Sequence, residues 1–178
     1  LSGGAIPIVF GGDGAIALPQ MRALAARYDD LCVLHIDAHT DAYPIDGFNN
    51  ATPFARAFDE GLVDTRHSFH IGTRRSHMVP GVYEYGRQLG YNIVSMRQLV
   101  KRGIAAVFAD VRAEIGSRPV YLCFDMDFFD PSVAPGVCTP AWGGASSREG
   151  LEVVSELAGL NVVAIDINTI SPPHDVGG

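Results

Sequence analysis

Two carboxylates and an imidazole fall close together at Asp37, His39 and Asp41, directly after the apolar run Leu31-Cys32-Val33-Leu34. A second acidic stretch brings Asp125, Asp127 and Asp130 after the run that ends in Cys123-Phe124. At spacing i, i+2, i+4 the side chains of Asp37, His39 and Asp41 project to one side of an extended chain, and Asp125 with Asp127 does the same. An aspartate after a strand is ordinarily a turn former, but turns alone do not require ligand-type side chains to recur at two strand ends. Two like charges ~4 Å apart repel by about 4 kcal/mol at an effective dielectric near 20. A domain has only roughly 5–15 kcal/mol of net stability, so cations or protons must sit among these carboxylates. Carboxylate with imidazole suits Mn²⁺ and related first-row ions. Shared carboxylates suit a pair of ions about 3.5–4 Å apart, which lowers the pKa of a bridging water. The chemistry implied is hydrolysis at an electrophilic carbon or phosphorus.

The elements that must position these groups are legible as alternating runs. Strands are predicted at residues 5–10, 31–36, 68–71, 91–94, 120–124 and 162–167, and helices of 3.6 period at 18–27, 104–115 and 147–157. Pro19 fits the first turn of the first helix, and Ser146 with Glu149 has the spacing of a capping box at the start of the last. The alternation predicts an α/β fold, three layers with a mainly parallel sheet, in one domain over residues 1–178. Such sheets bind ligands beyond the carboxyl ends of their strands, which is where both acidic stretches fall.

With 178 residues, 47% of them hydrophobic, and a net charge of −7, the chain can fill one core and is a poor partner for a polyanion such as nucleic acid. No apolar run approaches the ~20 residues of a membrane span, and the start lacks the layout of a secretory signal; the expected location is cytoplasmic. Cys32 and Cys123 lie in predicted strands, and with Cys138 they show no paired spacing, so free thiols are expected. The sequence opens almost at once with a strand and stops without a covering helix, so a domain truncated at both ends is expected.

With these residues in view, the chain resembles the ureohydrolase family, the arginases and agmatinases. The resemblance rests on GGDGA at residues 11–15, DAHTD at 37–41, FDMDFFDPSVAPG at 124–136, TPAWGG at 139–144 and DINTISPPHD at 166–175. It covers essentially the whole chain in order, and its details are nearer to agmatinase-like members. It implies a binuclear manganese site, with nickel as another candidate, that hydrolyses a C–N bond of a guanidino compound to urea and an amine by a metal-bound hydroxide. Carried over by position, Asp37 and Asp125 would bridge the ions, His39 and Asp127 would complete one site, and Asp41 would serve the other. A homo-oligomer, trimer or hexamer, is implied as well.

Three positions depart from the family pattern. Gly14 stands where the family's GGDHS has a metal-binding histidine, Asn50 where agmatinases have a loop histidine, and Thr169 where a glutamate holds the guanidinium. The second ion is therefore expected to be loose or absent, and agmatine and arginine are expected to be poor substrates. Asp41, Asn50 and Thr169 are the candidate catalytic residues. His35 is a substitute ligand or, more in keeping with its strand position, a packed histidine behind the site. Asp13 is expected to fix its own turn, Asp166 and Asn168 to reach the cleft, Asp175 to order a loop, and Trp142 to wall the pocket or enter the core. Arg74 and Arg75, with His67, His70 and His77 around them, are placed to meet a substrate carboxylate or to lie in solvent. The alternative to an enzyme is a catalytically degenerate subunit with a structural or regulatory role in a hetero-oligomer.

Overall fold

The structure is a computed structural model that describes residues 4–74 and 79–176. Its strands are β1 (Ile8–Phe10), β2 (Cys32–Ile36), β3 (Phe69–Thr73), β4 (Asn92–Ser95), β5 (Pro119–Asp125) and β6 (Asn161–Asn168). They form one parallel sheet in the order β1-β6-β5-β2-β3-β4. The helices are α1 (Ala17–Ala25), α2 (Pro53–Asp59), α3 (Val82–Gln88), α4 (Met96–Arg102), α5 (Ile104–Ile115) and α6 (Ser147–Glu156).

The alternation of side chains along β2 and β5 divides the core into two. Val33, Tyr121 and Cys123 pack with Leu18 and Met21 of α1, Phe54 of α2 and the aromatic residues around α3. Leu34, Ile36, Leu122 and Phe124 pack with Leu99 of α4, Phe108 and Val111 of α5 and Val153 of α6. The result is three layers, helix–sheet–helix. Fully burying side chains of this size contributes ~1.5–3 kcal/mol each, which holds the sheet between its helices.

The predicted strands and helices all form. Proline cannot donate to a ladder, and β1 is limited to Ile8–Phe10, although the Pro7 carbonyl still accepts from Ile165 N. Its position at the sheet edge leaves Ile8 and Phe10 exposed. The capping box of α6 is present in full, with Ser146 Oγ accepting from Glu149 N and Glu149 accepting from Ser146 N. The same device starts α4 through Ser95 and Gln98. Seven residues each, α2, α3 and α4 are about two turns long, too short for a 3.6-residue period to show in sequence. Among the described residues no helix is long and apolar enough to cross a membrane.

Sheet order fixes where the chain opens a crevice. From β2 the chain continues outward to β3 and β4, whereas from β5 it continues the other way to β6. The carboxyl ends of β2 and β5 are therefore the topological switch point, the place where parallel sheets leave room for a ligand. Ile36 pairs with Phe124 across these strands, so Asp37 and Asp125 leave the sheet at the same height.

Candidate metal centre

Both acidic segments curl as they leave the sheet. Asp37 Oδ1 accepts from His39 N at 2.6 Å, and Asp125 Oδ1 accepts from Asp127 N at 2.7 Å, where a single 3-10 turn (Met126–Phe128) begins. Asp41 takes a left-handed backbone with φ 45°. The extended geometry expected from the spacing is thus replaced by turns, because an aspartate accepts readily from the backbone two residues on. Convergence is achieved by curling, and the turn-forming and site-forming roles fall on the same residues.

At the centre is Asp37, fully buried. Its Oδ1 lies 3.1 Å from His39 Nδ1, which is also 3.1 Å from Asp127 Oδ2. Thr139 Oγ1 donates to that same Asp127 oxygen at 2.6 Å, and Ala38 N donates to its Oδ1 at 3.2 Å. One ligand atom each from Asp37, His39 and Asp127 lie within 4.8 Å of one another, and so do those of His35, Asp37 and Asp41. Asp125 is in neither triad, since Thr169 Oγ1 occupies its Oδ2. The bridging position that the resemblance gives Asp125 would require this oxygen to turn from Thr169.

The charges of the cluster depend strongly on one another. Burial and the Asp37 charge push Asp125 well above the usual carboxylate range, and burial and Asp37 do the same to Asp41. Asp127 is raised by burial and Asp37 too. Burial works against ionised Asp37 as well, but His35 and His39 outweigh it and hold this carboxyl well below its ordinary value. Burial would lower His39, yet its hydrogen bonds to Asp127 and Asp37 raise it to about 11. Protons thus stand where a divalent ion would serve better. Oxygen and imidazole donors, with Asp37 Oδ2 buried and without a hydrogen-bond partner, fit such an ion.

Above these groups opens a cavity of about 180 Å³. Its walls include His39, Asp41, Asp125, Thr169, Gly14 and Asn50, with Tyr43, Cys138 and Thr139 at the rim. Gly14 is buried, and a Cβ there would stand 2.8 Å from Asp41 Oδ2 and 3.2 Å from Asn50 O, so this position faces the acidic cluster closely. Asn50 is exposed at the mouth. Thr169, at φ 60°, touches Asp125 Oδ2 and lies 2.9 Å from Asn168 Oδ1. One hydroxyl proton cannot serve both acceptors; the raised Asp125 carboxyl can donate on its side. Tyr43, Cys138 and Thr139 were not among the expected site residues, although Thr139 opens the TPAWGG stretch.

Other candidates settle elsewhere. Asp166 and Asn168 do not line the cavity: Asn168 Nδ2 donates to Asp166 Oδ1 at 2.7 Å, Asp166 Oδ2 accepts from Tyr121 Oη, and Asn168 meets the cavity wall only through Thr169. This corrects the expectation that they reach it: both residues alternate onto the face beneath α1, where Gln20 and Tyr121 offer polar partners. Asp13 accepts from Ala15 N at 3.0 Å, as a turn former does, and also lines the cavity. Asp130 holds a loop through Ser132, Gly143 and Gly144. Trp142 is 90% exposed, neither pocket wall nor core. Arg74 is bonded to the carbonyls of Asp127, Phe129 and Ala141, tying the end of β3 to the loop behind Asp127 instead of facing a substrate. His67 pairs with Asp64 near the surface, His70 is buried behind His35, Asp175 lies in a loop against Gly136, and Arg75 and His77 fall outside the described residues. Cys32 and Cys123 are buried free thiols, while Cys138 is exposed.

Known proteins share this arrangement of strands. Guanidinopropionase of Pseudomonas aeruginosa is 38% identical over 179 residues, spanning 98% of this chain and 56% of that protein. The human mitochondrial guanidino acid hydrolase is 34% identical over 181 residues, 100% of this chain and 51% of that protein. The chain thus spans about half the length of these curated relatives. Among solved structures, proclavaminate amidino hydrolase of Streptomyces clavuligerus superposes with a TM-score of 0.91 at 34% identity, covering 96% of this chain and 57% of that one. The arginase of Bacillus caldovelox superposes at 0.90 with 27% identity, covering 99% and 64%. Residues 1–178 match the model of the arginase family, and the chain belongs to that family.

Proposed function

We propose that the chain carries the metal centre of an amidinohydrolase of the agmatinase type, which adds water across a guanidino carbon and releases urea and an amine. The observation that carries this reading is the pair of triads around Asp37, placed at the switch point of the sheet and open to a cavity. Divalent ions held by Asp37, His39, Asp41, Asp125 and Asp127 would lower the pKa of water and so supply the nucleophile at neutral pH. Manganese suits the mixed carboxylate–imidazole donors. Support also comes from relatives whose names specify guanidino acids or agmatine.

The chain's own residues set the remainder. Asp127 and Asp37 hold the His39 ring from two sides, which fixes its orientation. Asn50 at the cavity mouth can hydrogen-bond but cannot carry a proton; Asp41, half-buried on the wall beside it, can take a proton from the attacking water and pass it to the leaving nitrogen. Thr169 is neutral and engaged with Asp125, so it offers no charge to a guanidinium. A guanidino compound recognised through its other end therefore suits this cavity better than agmatine or arginine.

The test is urea release from a panel of guanidino acids, guanidino amines and neutral guanidines by the Mn²⁺-loaded protein. Turnover of at least one compound, lost in Asp37→Asn, is the expected outcome. A metal-loaded, folded protein inert to the whole panel would favour the non-catalytic subunit of a larger assembly, a reading that Gly14 and Thr169 also fit.

A further inference from the structure

We propose that His35 supplies the nitrogen ligand that Gly14 lacks, so that His35, Asp37 and Asp41 hold a second divalent ion beside the one held by Asp37, His39 and Asp127. The inference rests on the metal-centre reading above and replaces the expectation of a loose or absent second ion.

Three observations carry it. First, His35 is only 1% exposed and its Nε2 lies 2.8 Å from Asp37 Oδ2, with Asp41 completing a group whose ligand atoms are within 4.8 Å of one another. Second, that short contact is not an aligned hydrogen bond, for Asp37 Oδ2 is buried without a hydrogen-bond partner. Two donors at right angles on one ion, with bonds of roughly 2.0–2.2 Å, stand about 3 Å apart. A nitrogen and an oxygen at this separation have the spacing of neighbouring ligands. Third, His35 Nδ1 lies 2.8 Å from His70 Nδ1. A ligating histidine ordinarily donates its other ring proton to a partner, which fixes tautomer and orientation. In the tautomer that a metal ligand requires, His35 donates from Nδ1 to His70 Nδ1, and the lone pair of His35 Nε2 faces Asp37 and Asp41.

The ring is also held from the side. His35 packs on Phe54 with centroids 4.4 Å apart and meets His70 edge-on at 5.0 Å. A packed histidine without a ligand role would satisfy these contacts equally well, so the test must read the ions. Gly14 meanwhile leaves no room on its own side, where a Cβ would press on Asp41 Oδ2 at 2.8 Å.

The experiment measures Mn²⁺ bound after dialysis, and by competition titration, for the native chain and for His35→Asn. The asparagine amide can still donate to His70 but offers nothing in place of Nε2. The native chain should retain two ions, and the variant should bind its second at least ~10–100-fold more weakly. Should the variant fold poorly, anomalous scattering from Mn²⁺-soaked crystals of the native chain decides, with one ion expected at bonding distance from His35 Nε2. One ion at Asp37, His39 and Asp127 with none near His35, or two ions retained in the variant, overturns this inference alone. No bound ion anywhere overturns the metal reading with it.

Discussion

His39 Nδ1 and Asp127 Oδ2 stand 3.1 Å apart, an imidazole from the turn after β2 meeting a carboxylate from the turn after β5. Ala38 N also donates to Asp127 Oδ1 across 89 residues of sequence, and the parallel pairing of β2 with β5 brings the two segments together. Replacing His39 with asparagine should lower Mn²⁺ affinity by at least ~10–100-fold, a loss already typical for a residue that merely supports a ligand. Equilibrium dialysis checks this, and urea release should fall with it.

Metal binding should release protons and strengthen with pH. His39 sits at about 11 in the ion-free protein because Asp127 and Asp37 outweigh its burial, so near pH 7 it carries a proton that an ion must displace. Calorimetric titration in buffers of different ionisation enthalpy should show proton release on Mn²⁺ binding between pH 6 and 8. Binding without proton release would place the ion elsewhere.

Thr169→Glu should improve the handling of cationic guanidines. Glutamate is unbranched at Cβ and suits φ 60° no worse than threonine, while its carboxylate enters the cavity wall. Charge-assisted hydrogen bonds contribute roughly 1.5–3 kcal/mol, or about ten- to a hundredfold in binding. The KM for agmatine should fall by about that factor; an unchanged KM would show that residue 169 does not face the guanidinium.

Asp166→Asn should change how stability depends on pH. Burial raises Asp166 to about 7, above the ~3.9 of an unfolded aspartate. The folded form then binds the proton more tightly, so this group's contribution is full below pH ~4 and is lost as pH rises through about 7. Asparagine removes that titration while keeping an oxygen for Tyr121. Urea denaturation of the metal-free protein should show a flatter pH profile between 4 and 7, and a gain of ~1–3 kcal/mol near pH 8.

Period-2 and period-3.6 patterning made the layers legible, because strands buried on both faces read as unbroken apolar runs and long helices repeat over several turns. The convergence of Asp37, His39 and Asp127 was legible for a different reason: ligand-type side chains recur at the ends of β2 and β5. What spacing could not give is direction. Asp166 and Asn168 sit one strand from the cleft but face α1, and Thr139 joins Asp127 from a loop with no periodicity. Arg74 stood open between a substrate carboxylate and solvent, yet its fork of donors is taken by loop carbonyls that only the folded chain assembles. His35 carried no signal beyond its parity with Asp37, and its partner His70 comes from the neighbouring strand.

The claim on which the account depends is that side chains at the β2 and β5 ends form a divalent-metal centre. Anomalous scattering from Mn²⁺-loaded crystals tests it most directly. The account predicts a strong peak within roughly 2.0–2.3 Å of oxygens of Asp37 and Asp127 and a nitrogen of His39. A fully loaded crystal with no peak between these three residues, or with its ions only on surface carboxylates, would contradict it.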